Sequence, residues 1–281
     1  MYVEGMLKVR EIHAKSILNK SKLSDFTLNC YVGCSHRCLY CYARYMTKFK
    51  DRPEDWGEFV DVKINAPEVL KEQIKKIELP KEIYMSTVCD GWQPLEEKYK
   101  LSRACLKLLL EAGFSISILT KSKLIRRDFD LLEAHNKQSS LGMTITTLNI
   151  ELKRLLEPNA SDSRERINTL KEAKKKGIEI YVFLGPLIPG FTDTEANLEE
   201  VFSGLKDLDL NHIYIDRLNQ RWGVLESLKK GLEGIEGEKV KLLVDSYTND
   251  GNYRNYSQKL RYNATKFASQ FGLADRVRFC F

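Results

Sequence analysis

A regular alternation of strand and helix along the middle of the chain constrains its fold more than any other feature. Short apolar, β-branched runs have the composition of strands, and segments with helical spacing of apolar residues separate them. The strands are predicted at 25–31, 82–88, 114–119, 141–147, 178–184 and 212–217, and the helices at 67–77, 101–112, 124–136, 163–176 and 194–208. Such alternation implies parallel strands joined by right-handed crossovers. Six units are too few for a closed eight-unit barrel, so we predict an α/β fold with an open, partial barrel.

Composition narrows the class of protein. The chain has 281 residues, of which 43% are hydrophobic and 30% charged, as in soluble globular proteins. No run approaches the roughly 18 apolar residues of a membrane-spanning helix, and residues 1–20 lack an apolar signal core, so we expect a cytoplasmic protein with no membrane partner. A net charge of +6 does not by itself establish a nucleic-acid partner. The odd count of seven cysteines argues against a disulfide framework and for a metal site.

The loop after the first predicted strand carries that candidate metal site. Its core spacing is Cys34-x3-Cys38-x2-Cys41. Three thiolates on one short loop can hold three irons of a cubane iron–sulfur cluster and leave the fourth iron open to a chelating ligand. The alternative is a structural zinc ion, for which Cys30 or His36 is available as a fourth ligand. No second CxxC pair accompanies the loop, which disfavours zinc.

This loop resembles the signature of the radical S-adenosylmethionine (SAM) superfamily, and most closely its spore photoproduct lyase-like branch, often labelled DNA repair photolyase-like. The branch typically reads Asn-Pro-Tyr-x-Gly-Cys-x-His-x-Cys-x-Tyr-Cys-Tyr-Ala-Arg. The chain departs from that string at Cys30, where the branch has proline, and we interpret Cys30 as structural. Further motifs follow in the branch's order at 90–96, 120–122, 127–132, 156–158 and 186–193, so the resemblance spans roughly residues 12–220.

The resemblance implies a partial (β/α)6 radical SAM barrel and a radical SAM enzyme. A 4Fe-4S cluster on Cys34, Cys38 and Cys41 would chelate SAM through its open iron. A one-electron donor of flavodoxin or ferredoxin type would then drive reductive cleavage to methionine and a 5′-deoxyadenosyl radical, which abstracts hydrogen from a substrate. The cofactor carries this chemistry, and the protein supplies binding and orientation.

Residues that would contact SAM follow from the same resemblance. Lys121 would pair with the SAM carboxylate, and Thr87 and Asp90 would accept hydrogen bonds from its ammonium. Tyr40 and Gly185 would contact adenine. Thr144 and Thr146 would reach the ribose or the carboxylate. For Lys121 the alternative is a solvated lysine, and for the two last threonines it is β-branched filling of a strand.

Cys89 has two interpretations. A thiol near the deoxyadenosyl site can return a hydrogen atom to a product radical, and spore photoproduct lyases use a cysteine near this strand for that. A free buried cysteine is, however, more often a small hydrophobic residue.

We divide the chain into a lead-in at 1–24, a barrel core at 25–220 and a C-terminal helical or α/β extension at 221–281 that caps the barrel. Residues 252–281 hold six basic residues and one acidic residue, interleaved with tyrosines. Such a segment can hold a phosphate backbone and stack on bases. The alternative is an amphipathic terminal helix in which Tyr256, Leu260 and Phe267 pack inward.

Three functions remain open at this point. The first is a radical SAM enzyme, lyase-like, that acts on a nucleic-acid base or lesion. The second keeps the radical chemistry but acts on a peptide, a protein or a small metabolite. The third is a non-catalytic zinc-binding adaptor. Bound iron and sulfide separate the third from the others, and salt-dependent nucleic-acid affinity separates the first from the second.

Overall fold

The structure, a computed structural model, describes residues 7–49, 53–235, 237–247 and 249–281. Within these ranges its strands are β1 (Lys8–Ile12), β2 (Leu18–Lys20), β3 (Phe26–Leu28), β4 (Tyr31–Val32), β5 (Phe59–Lys63), β6 (Glu82–Met85), β7 (Ser115–Thr120), β8 (Ser139–Ile145), β9 (Glu179–Leu187), β10 (His212–Arg217) and β11 (Val277–Phe279). Eight of them form one sheet in the spatial order β11-β10-β9-β8-β7-β6-β3-β2. Its neighbours are parallel except β2, which is antiparallel to β3.

Helices follow the barrel strands as the alternation predicts. They are α1 (Ala66–Ile74), α2 (Glu96–Tyr99), α3 (Leu101–Glu111), α4 (Phe129–Ala134), α5 (Ile150–Leu156), α6 (Ser163–Lys175), α7 (Glu195–Leu205), α8 (Val224–Gly231), α9 (Gly237–Ser246) and α10 (Asp250–Gln270). Turns of 3-10 helix lie at Tyr42–Phe49, Lys123–Asp128 and Ala274–Arg276. The predicted open α/β barrel with a helical C-terminal extension is confirmed.

One face of the sheet is aliphatic and lies under the helices, as Ile83, Ile118 and Met143 illustrate by their complete burial. The opposite face carries polar and aromatic side chains. The hydroxyls of Tyr84 on β6 and Tyr181 on β9 lie 3.3 Å apart although two strands separate them, so this face must be concave. The concave face is therefore the barrel lumen, and these tyrosines fill its floor.

Glycine at position 142 leaves the space in the lumen that the Tyr181 ring occupies. A Cβ at Gly142 would lie 2.1 Å from the Tyr181 ring, so any larger residue on β8 would expel the ring. Because Gly142 has no Cβ, the Tyr181 ring fits here, and its hydroxyl donates to the Ile118 carbonyl at 2.8 Å and lies 3.2 Å from the Ser117 hydroxyl. Tyr181, Ser117 and Tyr84 thus fill this part of the lumen. In parallel α/β barrels the site lies at the carboxyl ends of the strands, and we call this the open end.

A smaller sheet, in the order β1-β5-β4, leads into the cysteine loop. We predicted 25–31 as a single strand, and this was wrong, because β3 and β4 belong to different sheets. Asn29 causes the break. Its side chain accepts from the Val88 N–H at 3.1 Å and donates to the Thr87 hydroxyl at 3.0 Å, replacing ladder hydrogen bonds.

The C-terminal helix packs onto the barrel. Leu260 and Phe267 are buried in the main core and Tyr256 packs against it, which confirms the amphipathic alternative for this segment. Beyond α10, β11 extends the sheet parallel to β10, a strand that we did not predict. The division into 1–24, 25–220 and 221–281 stays a prediction. No helix of the described ranges is both long and apolar enough to cross a membrane.

Candidate cluster and cofactor site

The three cysteines lie close together in the loop after β4, at the open end of the barrel. Cys34 and Cys38 are 8% and 7% exposed, Cys41 is partly buried, and all three are free thiols. Burial raises the pKa of Cys38 to about 12, against the opposing effect of Lys121. Burial also raises the pKa of Cys34, and the neighbouring Asp90 and Cys38 raise it further. Buried thiols of this kind ionise only if a cation accompanies them, and iron supplies one.

The loop turns where its sequence permits a positive φ. Gly33 has φ +92°, and a Cβ there would lie 2.2 Å from the Phe59 carbonyl oxygen on β5. The only residue type that fits this close approach is glycine. Gly33 therefore brings the backbone against the small sheet and directs Cys34 toward the lumen.

The side-chain amide of Gln93 clamps the backbone on both sides of Cys34. Its Oε1 accepts from the Ser35 N–H at 2.9 Å and from the Ser35 hydroxyl at 3.2 Å. Its Nε2 donates to the Gly33 carbonyl at 3.3 Å. Gln93 is fully buried, so water does not compete for these bonds. A residue of the 90–96 motif thus fixes the position of the first cysteine.

The segment after α5 holds the second half of the loop. Asn159 Nδ2 donates to the Ser35 carbonyl at 2.8 Å, and its backbone N–H donates to the His36 carbonyl at 3.3 Å. The Leu39 N–H donates to the Leu156 carbonyl at 2.9 Å. The 156–158 motif and Asn159 therefore act as a second clamp, opposite Gln93.

Asp90 connects the ends of β6 and β7 with the loop. Its Oδ1 accepts from the Thr120 hydroxyl at 2.7 Å and the Trp92 N–H at 2.9 Å, and its Oδ2 accepts from the Lys121 N–H at 2.8 Å. His36 Nδ1 lies 3.4 Å from the same oxygen. These protein donors already occupy the carboxylate, so the geometry gives Asp90 a positioning role. Its predicted contact with the SAM ammonium stays a prediction, as does that of Thr87.

Lys121 follows β7 and brings a cation to the cysteines. Its Nζ lies 5.7 Å from the centroid of the Tyr40 ring. Burial by itself lowers the pKa of Lys121, but the nearby Cys38 and Glu157 raise it above the ordinary value. The ammonium is therefore charged and close to the loop, where a carboxylate ligand bound to the open iron would need a partner.

Tyr40 is held by a buried ion pair. Its hydroxyl donates to Glu157 Oε1, and Arg166 Nη2 donates to Glu157 Oε2. Glu157 and Arg166 are both 0% exposed. The Thr146 hydroxyl donates to Glu157 Oε1 at 3.3 Å, and the Thr144 carbonyl accepts from Arg166 Nη1 at 2.8 Å. The structure thus brings together Tyr40 and the end of β8, which we predicted from separate motifs.

The remaining predicted residues are Gly185 and Cys89. Gly185, on β9, is close to β10, since a Cβ there would lie 3.0 Å from the Asp216 carbonyl oxygen. The Cys89 thiol is buried and donates to the Tyr31 carbonyl at 3.0 Å. Its burial raises its pKa to about 12. The roles of Gly185 and Cys89 stay predictions.

Three residues of the site, Gln93, Glu157 and Arg166, were not among those we predicted. The first two lie within motifs that we recognised but assigned no role. Arg166 carried a signal of its own, because it shares a helical face with the buried Leu170 and Ala173. A charged residue on the apolar face of a helix is almost never buried without a partner, and the partner here is Glu157.

The donor set fits a 4Fe-4S cluster better than it fits one zinc ion. Both candidates for a fourth zinc ligand are engaged elsewhere, since the Cys30 sulfur lies 3.7 Å from that of Cys105 and His36 faces Asp90. In a cubane each cysteine binds a different iron atom.

Comparison with known proteins gives consistent results. The sequence profile described as "Radical SAM superfamily" matches residues 28–216. An uncharacterized protein of Methanocaldococcus jannaschii is 36% identical over 200 residues, which are 70% of this chain and 74% of that protein. A protein of Pseudomonas phage M6 named radical SAM Nα-GlyT isomerase is 22% identical over 247 residues, covering 85% of this chain and 50% of that one.

Among solved structures, spore photoproduct lyase complexed with dinucleoside spore photoproduct superposes with a TM-score of 0.69. The sequence identity is 13%, and the match covers 98% of this chain and 82% of the lyase. At this identity the likeness establishes the fold. It extends through the C-terminal helices as well as the barrel, since it spans nearly the whole chain.

Proposed function

The chain belongs to the radical SAM superfamily and is a radical SAM enzyme; from that premise we propose that Cys34, Cys38 and Cys41 hold a 4Fe-4S cluster and that the enzyme abstracts hydrogen from a nucleic-acid base. When bound, the cluster and SAM supply a one-electron reductive cleavage, which gives methionine and a 5′-deoxyadenosyl radical. The electron comes from a partner of flavodoxin or ferredoxin type.

The chain's own residues bind and orient. Lys121 offers its ammonium to the SAM carboxylate, and Asp90 fixes the backbone of Lys121 through the 2.8 Å bond to its N–H. Gln93 holds the peptides on both sides of Cys34. Positioning of this kind is the protein's main contribution where a cofactor carries the chemistry.

The single observation that carries the cluster and SAM proposal is the placement of a charged lysine beside the cysteine loop, near the buried thiol of Cys38. Lys121 lowers the pKa of Cys38, and Cys38 raises that of Lys121. A structural zinc clip has no need of a buried ammonium beside it, whereas a carboxylate ligand on an open iron does.

A rim of cation–aromatic pairs at the open end supports a nucleic-acid substrate. Lys48 lies 4.5 Å from the Trp222 ring, and the Arg221 guanidinium lies 4.6 Å from the Tyr45 ring. Arg217 stacks at 3.8 Å on Tyr253. Tyr45 and Lys48 follow the cysteine loop, Arg217 ends β10, and Arg221 and Trp222 come after it, so these side chains border the carboxyl end of the barrel. Tyr253 joins them from α10.

Exposed aromatic rings beside cations suit bases and phosphates together, and Trp222 is 49% exposed. One solved structure of similar fold is a spore photoproduct lyase complexed with a dinucleoside, which is a ligand that presents bases.

The first experiment is anaerobic purification followed by iron and sulfide analysis and electron paramagnetic resonance with and without SAM. We expect about four irons per chain and a reduced signal that shifts when SAM is added. Cys38→Ala should lose the cluster, while Cys280→Ala, which removes an exposed cysteine outside the loop, should keep it. A colourless protein with one zinc would refute the proposal.

The substrate class is tested by binding of a single-stranded DNA oligonucleotide across a salt series. We expect affinity to fall with salt with a slope of about −0.7 per phosphate contacted. Arg221→Gln should weaken binding, and Arg164→Gln, an exposed arginine on α6 paired with Glu200, is the matched control. Salt-independent or undetectable binding would favour a peptide, protein or small metabolite as substrate.

A further inference from the structure

The buried ion pair between Glu157 and Arg166 reaches several of the elements that carry predicted SAM contacts. Through Glu157 it holds the Tyr40 hydroxyl, between the second and third cysteines, and the Thr146 hydroxyl after β8. Through Arg166 Nη1 it holds the Thr144 carbonyl. The pair therefore links the cysteine loop to the end of β8.

The same pair reaches Lys121 through one intermediate residue. Arg166 Nε donates to the Ser161 carbonyl at 2.8 Å. The Ser161 N–H in turn donates to the Lys121 carbonyl at 3.1 Å. The backbone position of Lys121 thus depends on Arg166 through Ser161.

Stability alone does not account for this arrangement. A buried ion pair forfeits the hydration of both ions, and well-packed apolar residues of similar volume are often as stable or more so. What apolar residues cannot do is hold three different elements by directional hydrogen bonds.

We propose that Glu157 and Arg166 are positioning residues for SAM, which set Tyr40, Lys121 and the end of β8 in register around the open iron. This inference rests on the proposed cluster and SAM chemistry. Neither residue contacts the cofactor in this scheme, and each acts through the groups that it holds.

The test compares two buried carboxylates in the cluster-loaded enzyme. Glu157→Gln removes the charge that pairs with Arg166. Glu96→Gln is the matched control, because Glu96 is equally buried, accepts from the Tyr31 hydroxyl and pairs with Arg127 at 2.9 Å. The readouts are iron content, the dissociation constant of SAM measured by anaerobic equilibrium dialysis, and the SAM-induced shift of the paramagnetic signal.

We expect Glu157→Gln to keep about four irons and to weaken SAM binding by about tenfold or more, as loss of groups that orient ligands typically does. Glu96→Gln should change SAM affinity less than about twofold. Unchanged SAM binding in Glu157→Gln that retains its iron would overturn the inference.

Tyr40→Phe keeps the ion pair and removes only the hydroxyl that Glu157 holds. This variant therefore tests the positioning role of the pair if Glu157→Gln does not fold. A weakened SAM affinity with a full complement of iron supports the inference, and an unchanged affinity overturns it. Failure of the wild-type enzyme to bind a cluster or SAM at all would instead refute the proposed function, so the two failures are distinguishable.

Discussion

Two buried triads of tyrosine, glutamate and arginine lie in this molecule, and they differ in what surrounds them. In one, Tyr40 and Arg166 both donate to Glu157. In the other, Tyr31 and Arg127 both donate to Glu96. We call them the site triad and the wall triad. The site triad lies where the strands end beside the cysteine loop, and the wall triad lies between α2, α3 and the turn at Lys123–Asp128.

The wall triad has more partners and more solvent. Glu96 also accepts from the backbone N–H groups of Ser102 at 3.0 Å and Arg103 at 3.1 Å, and Arg127 is 22% exposed. In the site triad the arginine is completely buried, and burial of Glu157 is offset by Arg166 and Lys121, which bring its pKa down to about 2. The same combination of residues therefore has two roles. The wall triad ties α2 and α3 to the small sheet through Tyr31, and the site triad places charged groups beside the cysteine loop.

The largest expected difference comes from removing the arginines. Arg166→Gln leaves Glu157 buried without its cation and should lower the free energy of unfolding by about 3–5 kcal/mol. Arg127→Gln should cost only about 1–2 kcal/mol, because Glu96 keeps its backbone donors and Arg127 already meets water. Urea unfolding followed by tryptophan fluorescence measures both. Equal losses would show that the two triads do not differ in burial as the structure indicates.

The second expected difference between the triads is the dependence of the free energy of unfolding on acid pH. The pKa of Glu157 lies below its ordinary value, so its contribution to stability is complete above the ordinary pKa of 4.5 and is lost as pH falls through about 2. The stability lost over this range of pH is about 3 kcal/mol. In wild type, the free energy of unfolding should therefore fall between pH 4.5 and about 2, and Glu157→Gln should flatten that fall. An unaltered slope in the variant would show that Glu157 does not titrate with the pair.

The two triads also show what the sequence can and cannot predict. Periodicity predicted the barrel strands within a few residues, because they are apolar and alternate with helices. Strands β1, β2, β5 and β11 were missed, since β1 and β5 pair across about fifty residues and β2 and β11 are three residues long. Strands of that kind are defined by their partners rather than by their own pattern.

The candidate site shows the same difference between features set by neighbouring residues and features set by distant ones. Local spacing predicted the three cysteines, because their chemistry depends on residues that are neighbours in sequence. The hydrogen bonds that hold them were not predictable in the same way. Gln93 meets Gly33 across sixty positions, and such pairings follow from packing that no local pattern encodes. Arg166 was the exception, since its place on an apolar helix face indicated a buried partner.

A partly buried carboxylate outside the two triads, Asp193, has a pKa shifted in the opposite direction. Burial raises the pKa of Asp193 to about 6, although the Gly190 N–H donates to it at 2.7 Å. Its contribution to stability is complete below the ordinary pKa of 3.8 and is lost as pH rises through about 6. Asp193→Asn should therefore stabilise the protein by about 1 kcal/mol near pH 8 and have little effect near pH 4. Equal effects of Asp193→Asn at the two pH values would contradict the raised pKa of Asp193.

The smallest expected effect concerns Thr146. Its hydroxyl donates to Glu157 at 3.3 Å, a long bond, so Thr146→Val should cost only about 0.5 kcal/mol in urea unfolding.

The same variant tests whether Thr146 acts on SAM directly or only through the site triad. If the threonine acts only through Glu157, SAM affinity should change less than about twofold, because Tyr40 and Arg166 still hold the carboxylate. If its hydroxyl touches SAM directly, as the family resemblance predicts, affinity should fall by about tenfold with little further loss of stability. Equilibrium dialysis on the variant that retains its iron distinguishes the two, because valine keeps the shape of the strand end and removes only the hydroxyl.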